Sequence, residues 1–200
     1  MGLLQMDRLM FSQKAKLIEL TNEYAIRDET GRQIGMMRQE GQTKLKKVLR
    51  FVSSVDQFLT HTVAAYDLDG SKVLELTRPA KFIKSKVLVR DATGVDVGTI
   101  AQQNVFGKIR FGYLDPTGQS IGGINAQNWR AWNFSIVDQT EREIGRITKK
   151  WSGLGKELFT TADNYLFELD PGVTGALRVM ALASAVGVDL ALKQDARGLG

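Results

Sequence analysis

Alternating apolar and polar residues recur through most of the chain, and short polar turns interrupt the alternation. Apolar side chains at every second position are typical of strands with one buried face. The pattern therefore predicts a series of antiparallel hairpins, with a further strand over Asn164–Leu169. The stretches entering the turns carry Tyr24/Ile26, Val87/Val89, Ile109/Phe111/Tyr113 and Phe134/Ile136, and those leaving them carry Ile34/Met36, Val97/Thr99, Ile121/Ile124 and Ile144/Ile147.

The turns share the form Asp-x-x-Gly, and one copy has Glu in place of the glycine. An Asp side chain at the first position bonds the turn backbone, and Gly at the fourth accepts the positive φ of the following bulge. Calcium loops need carboxylates at alternating positions, and only Asp67 and Asp69 supply two. The motif is therefore interpreted as structural. Its copies lie at 28–31, 67–70, 91–94, 115–118 and 138–141, and a second glycine follows at Gly35, Gly98, Gly122 and Gly145.

An apolar helix is predicted over residues 175–193. Its uninterrupted run of apolar or small residues, 179–188, is shorter than the roughly 20 residues that span a bilayer. Apolar side chains on nearly every side predict a helix buried all round. Ten or more strands need a closed barrel or a sandwich to protect their edges, and a barrel filled by this helix accounts for both elements. We expect one mostly β domain over 1–200, with a flexible tail at 194–200.

Composition narrows the chemistry that this barrel can support. The chain has 200 residues, 43% apolar and 24% charged, which indicates a soluble globular domain. It contains no cysteine and one histidine, His61, so disulfides, thiolate metal sites and multi-histidine centres are excluded. Motifs of hydrolases, zinc proteases and dinucleotide-binding enzymes are absent. We therefore expect a cytoplasmic binding module that is not an enzyme and has no cofactor.

Basic residues are concentrated in three windows that contain no acidic residue. The 27 Lys and Arg exceed the 22 Asp and Glu and give a net charge of +5, which favours an anionic partner. The first window also repeats apolar residues with helical spacing and predicts an amphipathic helix with a basic face. The windows comprise Lys44, Lys46, Lys47 and Arg50; Arg78, Lys81, Lys84, Lys86 and Arg90; and Arg146, Lys149, Lys150 and Lys156.

Three interpretations of these windows remain open from the residues alone. A basic amphipathic helix binds anionic membranes, where each Lys or Arg contributes about 1 kcal/mol. The same helix can pack on the barrel with its lysines in water. Nucleic acid also fits the charge, but single-strand binding needs aromatic platforms. Trp129 and Trp132 lie away from two of the windows.

Several segments precede the apolar helix: LELTRP at 74–79, QNW at 127–129, NFSIVD at 133–138, IGRITKKWSG at 144–153 and FTTADNY at 159–165. Together with the helix, they resemble the phospholipid scramblase family. The resemblance extends from about residue 58 to residue 192. It implies the tubby-like fold, shared with the LURP-one-related proteins, in which a barrel of about 12 antiparallel strands surrounds a central hydrophobic C-terminal helix. Among family members, the chain is similar to short prokaryotic ones.

The resemblance also implies what this chain lacks. Eukaryotic scramblases carry a calcium-binding segment where this chain has residues 161–172, and its first and last carboxylates correspond to Thr161 and Gly172. Asp163 remains, and Tyr165 offers only a backbone oxygen, so we expect no metal site. The family's palmitoylated cysteines have no counterpart here. Membrane contact is therefore expected to be electrostatic and reversible.

The resulting hypothesis is a scramblase-like protein that binds anionic phospholipid at a membrane surface, on the inner face of the membrane, and contributes to transbilayer lipid movement. The alternative is a cytoplasmic regulatory module that binds a protein or nucleic acid through its basic surface. The candidate lipid-binding residues are Lys44, Lys46, Lys47, Arg50, Lys81, Lys84, Lys86, Arg146, Lys149 and Lys150.

Overall fold

Twelve β-strands form one closed antiparallel barrel in a computed structural model of the chain. The structure describes residues 2–13, 23–40, 60–80, 84–104, 108–127, 133–148 and 164–197, with side chains of the last range described from 165 to 187. Each strand pairs with its neighbours in sequence, and β1 closes the barrel against β12. The predicted mostly β barrel with one C-terminal helix is confirmed.

The strands are β1 Arg8–Gln13, β2 Glu23–Arg27, β3 Gln33–Glu40, β4 His61–Asp67, β5 Lys72–Arg78, β6 Lys86–Asp91, β7 Asp96–Gln102, β8 Arg110–Leu114, β9 Ser120–Ala126, β10 Asn133–Asp138, β11 Glu143–Thr148 and β12 Asn164–Leu169. A short 3-10 helix, Leu3–Gln5, precedes β1, and the helix α1, Gly175–Arg197, follows β12. The helix begins at the predicted residue and continues past the predicted end at 193. The flexible tail over 194–200 stays a prediction.

The up-and-down strand order gives the barrel two unlike ends. The five Asp-x-x-Gly-type turns join β2 to β3, β4 to β5, β6 to β7, β8 to β9 and β10 to β11, so they all lie at one end, here called the turn end. At the opposite end, here called the loop end, β3 stops at Glu40, β5 at Arg78 and β11 at Thr148.

The turns have the predicted chemistry. In the β6–β7 turn the Gly94 N–H donates to the Asp91 carbonyl at 3.1 Å, and Asp91 Oδ1 accepts the Thr93 and Val95 N–H groups at 2.8 and 3.0 Å. Gly94 has a φ of 88°, which glycine adopts without steric cost. The strand register shifts beside each of the five turns, as expected for a type I turn followed by a bulge.

One turn deviates because its third residue is an acid rather than threonine. Asp69 accepts the Ser71 N–H and hydroxyl at 2.9 and 2.6 Å, and so takes over the role that the first Asp has elsewhere. Asp67 Oδ1 instead accepts the Leu3 N–H at 2.9 Å. This bond ties the N-terminal segment to the turn end, where the Leu3 side chain is buried in the core.

The barrel encloses the middle of helix α1, whereas its first two residues are exposed. Residues 180–187 are all buried, which covers more than two full turns and therefore every side of the helix. The helix contacts β5, β6, β7, β9 and β12. In the described part of the chain, no helix has the length and hydropathy that crossing a bilayer would require. The prediction of a helix buried all round is confirmed for these residues.

The recurrent second glycine marks places where two backbones approach closely. A Cβ on Gly98 would lie 2.3 Å from the Leu114 carbonyl oxygen and 3.2 Å from Met180 Sδ of the helix. A Cβ on Gly122 would lie 2.4 Å from the Val137 carbonyl oxygen and 3.0 Å from the Leu177 side chain. Any side chain at these positions would push the neighbouring strand and the helix away from the barrel wall.

Candidate functional site

The loop end brings together the strand ends that flank the three basic windows. Glu40 and His61 flank the first window, and Arg78 and Lys86 lie on either side of the β5–β6 connection in the second. Arg90, the last cation of the second window, lies toward the turn end. The third begins in β11, which stops at Thr148, and continues toward β12. The windows are far apart in sequence, but the alternating strand directions place all of these flanks at one end.

Most of the predicted lipid-binding residues lie outside the described residues. These are Lys44, Lys46, Lys47, Arg50, Lys81, Lys149 and Lys150. Thr161 and Asp163 also lie outside the described residues; they belong to residues 161–172, here called the calcium-like segment because eukaryotic scramblases bind calcium at the corresponding positions. The predicted amphipathic helix of the first window is likewise outside the described residues.

The structure describes three of the predicted lipid-binding residues, and these three differ in the groups that their charges contact. Lys84 is exposed, and its Nζ donates to the Gln103 carbonyl at 2.8 Å. Lys86 is exposed on β6. The Arg146 guanidinium contacts Glu143 Oε1 at 2.6 Å, so a carboxylate neutralises most of its charge. Lys84 and Lys86 are therefore better placed than Arg146 to attract an anion.

Two further basic residues lie beside Lys84 and Lys86 in space. Lys108 and Arg110 are exposed at the start of β8, where β8 pairs with β7. Sequence reasoning missed them because two cations in a long stretch do not form a dense window. The signal was present nonetheless, since residues 97–114 contain no acid. We call Lys84, Lys86, Lys108 and Arg110 the lateral basic patch.

The turn end carries the opposite charge. In four turns the hydroxyl of the Ser or Thr two residues on, bonded to the carboxylate, lowers the pKa of Asp28, Asp69, Asp91 and Asp115. In the fifth turn the Thr140 hydroxyl lowers the pKa of Asp138 to about 2. These carboxylates are all ionised at neutral pH, so an anionic surface is repelled from this end.

A buried polar arc lines the inside of the barrel toward the loop end. Along β3 to β7, every second side chain faces the interior of the barrel, and most of these side chains are apolar. The members of the arc take the next inward-facing positions toward the loop end. Gln39 Nε2 lies 2.9 Å from His61 Nδ1, and the Ser85 N–H donates to Gln102 Oε1 at 3.0 Å. Arg78, opposite His61 in the β4–β5 pairing, is 4% exposed. The arc marks where the apolar lumen ends.

The described part of the calcium-like segment does not converge on a cation. Tyr165 is 2% exposed and lies in the core toward the loop end, whereas Gly172 lies beyond β12 at the turn end. Between them, Glu168 points outward, and its Oε1 accepts a hydrogen bond from Arg8 Nη2 at 2.8 Å. Among the described residues, no group of three or more His, Asp or Glu side chains is placed to hold a metal ion. The residues described here do not fit calcium.

These observations define the protein as an up-and-down β-barrel that is closed around its own C-terminal helix. The chain belongs to the Scramblase family, whose sequence profile matches residues 1–192. The resemblance stated from the sequence is thereby confirmed at the level of the family.

Two curated relatives are similar over about three quarters of this chain. A phospholipid scramblase family protein of Schizosaccharomyces pombe is 23% identical over 160 residues, covering 74% of this chain and 40% of the relative. The altered inheritance rate of mitochondria protein 25 of Saccharomyces cerevisiae is 24% identical over 185 residues, covering 76% of this chain and 53% of the relative. The chain thus spans about half the length of these relatives or less. No solved structure matches it significantly.

Proposed function

We propose that this protein is a scramblase-like module that binds anionic phospholipid at a membrane surface through the loop end of its barrel. Membership of the Scramblase family and the word phospholipid in the printed name of one relative support a lipid partner. The observation that carries the proposal is the position of the strand ends beside the windows, because Glu40, His61, Arg78, Lys86 and Thr148 all lie at the loop end. The carboxylates of the turn end favour an orientation in which that end faces away from the lipid.

Vesicle co-sedimentation tests this proposal. We expect the protein to bind vesicles that contain phosphatidylserine, to leave pure phosphatidylcholine vesicles unbound, and to dissociate as salt is raised. The variant K44Q/K46Q/K47Q/R50Q should bind at least tenfold more weakly, because four cations near an anionic surface each contribute about 1 kcal/mol.

A variant with the same net charge provides the control. R8Q/R32Q/R90Q/R142Q also removes four positive charges, but its residues lie toward the turn end. We expect it to bind like the unsubstituted protein. Equal losses in the two variants would show that only net charge matters and would contradict a loop-end site. No binding at low salt would rule out the membrane partner and leave a protein or nucleic acid as the alternative.

Transbilayer lipid movement is the finer part of the proposal and needs its own assay. In proteoliposomes with fluorescent lipid, dithionite bleaches only the outer leaflet, so movement of lipid appears as bleaching beyond one half. We expect any movement to be independent of calcium, because the segment aligned with the family's calcium site has Thr161 and Gly172 where that site has carboxylates. A response to micromolar calcium would contradict this expectation.

A further inference from the structure

The lateral basic patch is continuous across three strands. Lys84 Nζ donates to the Gln103 carbonyl at 2.8 Å, and the Gln103 N–H donates to the Arg110 carbonyl at 2.9 Å. Gln103 therefore lies between Lys84 and Arg110, whose backbones are separated by about two strand spacings, or roughly 10 Å. Lys86 is two residues beyond Lys84 and also exposed, so it adds to the same outer face.

The side chain of one asparagine, Asn104, bonds the backbone at Lys108 and Arg110. Asn104 Nδ2 donates to the Lys108 carbonyl at 2.7 Å, and Asn104 Oδ1 accepts the Arg110 N–H at 2.9 Å. These bonds fix the backbone at both cations. The patch therefore presents its charges from a defined backbone.

The charge of this patch is not neutralised within the described part of the chain. None of its four cations is in an ion pair there, and the described stretches 84–90, 97–104 and 108–114 contain no acid. Other cations on β5 and β6 differ. Lys72 contacts both Glu40 and Glu75 at 3.0 Å, and Arg90 contacts Asp96 at 2.9 Å.

The surroundings of the patch favour a lipid surface over a single-stranded nucleic acid. Binding of single strands needs exposed aromatic side chains beside the cations. The only large apolar side chains that are exposed among the described residues are Leu68 and Val95, both at the turn end. Among the described residues the patch offers cations and no exposed aromatic ring, which fits a plane of phosphate and carboxylate groups.

We propose that the lateral basic patch is a second contact with anionic phospholipid, so that the barrel rests on the membrane with the outer loop-end face of β6, β7 and β8 against the headgroups. This inference rests on the proposed function and adds to it a particular face of the barrel. Lys108 and Arg110, which belong to none of the three basic windows, then contribute as much as Lys84 and Lys86.

A matched pair of variants tests the patch. K108Q/R110Q and R32Q/R142Q each remove two positive charges from exposed side chains, the first pair from the patch and the second from the turn end. We expect K108Q/R110Q to weaken partition into phosphatidylserine vesicles by about tenfold to thirtyfold, and R32Q/R142Q to change it less than twofold. Unfolding curves of both variants should match those of the unsubstituted protein, which shows that the fold is intact.

The results separate failure of the patch from failure of the membrane proposal. Strong binding by the unsubstituted protein together with equal effects of the two variants overturns the patch and leaves the proposed function standing. No vesicle binding by any variant overturns both. Binding of duplex or single-stranded DNA that K108Q/R110Q abolishes, without vesicle binding, overturns the assignment of lipid to this surface.

Fluorescence gives a second measurement that does not depend on removing charge. The chain has no cysteine, so Gln103→Cys and Leu68→Cys each provide a single labelling position without background. Gln103 lies within the patch, and Leu68 is 65% exposed at the turn end. With an environment-sensitive dye, quenching by lipid-borne nitroxide should occur at position 103 and not at 68. Quenching at 68 alone, or equally at both, would overturn the proposed orientation.

Discussion

Glu141 occupies the turn position that glycine holds in the other four turns. Among the described residues it alone has a positive φ without being glycine, at 62°. The left-handed conformation costs a residue with a Cβ roughly 1 kcal/mol or more relative to glycine. The β10–β11 turn therefore carries local strain that its sister turns avoid.

Reciprocal substitutions test this strain. Glu141→Gly should raise the free energy of unfolding by about 0.5–1 kcal/mol, and Gly118→Glu should lower it by about the same amount. Gly118 is a suitable partner because a Cβ there meets no atom within 4 Å, so only its φ of 86° opposes the change. Denaturant unfolding measures both values. A loss of stability in Glu141→Gly would show that the Glu side chain outweighs the strain.

The turn carboxylates make stability depend on pH in the acid range. The Thr140 hydroxyl is the largest cause that lowers the pKa of Asp138 from 3.8 to about 2 in the folded chain. The stabilising contribution is therefore complete above about pH 4 and is lost as the pH falls from 4 toward 2. We expect the stability difference between the unsubstituted protein and Asp138→Asn to shrink over this interval. A difference that stays constant from pH 6 to pH 2 would contradict the assignment.

At the scale of elements, one buried hydrogen bond joins the helix to the barrel wall. The Tyr113 hydroxyl of β8 donates to Ser184 Oγ at 2.8 Å, and Ser184 Oγ donates to the Ala181 carbonyl at 2.7 Å. Burial raises the pKa of Tyr113, so the hydroxyl keeps its proton throughout the working pH range. The serine in the apolar stretch 179–188 of the helix is thus explained by its hydrogen bond to a tyrosine on β8.

The two partners should differ in the cost of their removal. Tyr113→Phe leaves Ser184 bonded to Ala181 and should cost about 1 kcal/mol, whereas Ser184→Ala leaves a buried hydroxyl without its acceptor and should cost about 1–3 kcal/mol. The double variant should cost less than the sum. Denaturant unfolding of the three variants checks this order, and equal, additive costs would indicate that the bond contributes little.

At the scale of the whole molecule, Arg178 joins the start of helix α1 to the N-terminal segment, more than 170 positions away in sequence. Its guanidinium donates to the Leu4 carbonyl, to the Val173 carbonyl at 3.1 Å and to Asp7 Oδ1 at 2.7 Å. The side chain is 12% exposed. It thereby fastens the N-terminal segment and the connection after β12 to the first turns of helix α1.

Loss of this connector should destabilise the barrel. We expect Arg178→Met to lower the free energy of unfolding by about 2–3 kcal/mol, because the Leu4 and Val173 carbonyls and the Asp7 carboxylate lose their donor. Asp7→Asn should cost less, since the Asp7 side chain is 38% exposed and water can replace the bond. Denaturant unfolding measures both, and similar costs would show that the ion pair, rather than the carbonyl bonds, holds the segment.

Much of the fold could be predicted because it depends on local chemistry. Asp and Gly specify the turns within four residues, alternation specifies which side of each strand is buried, and an apolar run specifies a core helix. The N-terminal strand β1 was not predicted, and neither was the attachment of Leu3 to Asp67. That attachment is a contact across 64 positions of the chain, and no local pattern indicates it.

The candidate site likewise has some features that the sequence predicts and others that depend on contacts in space. The sequence by itself determined the basic windows, the hairpins and the missing cysteines, because these depend on residue type and spacing along the chain. Only the tertiary structure decided that the window flanks share one end, that Arg146 is paired with Glu143, and that Lys108 and Arg110 lie beside Lys84 and Lys86. These facts depend on strand pairing and on ion pairs between side chains, and both are set by distances in space that spacing in sequence does not specify.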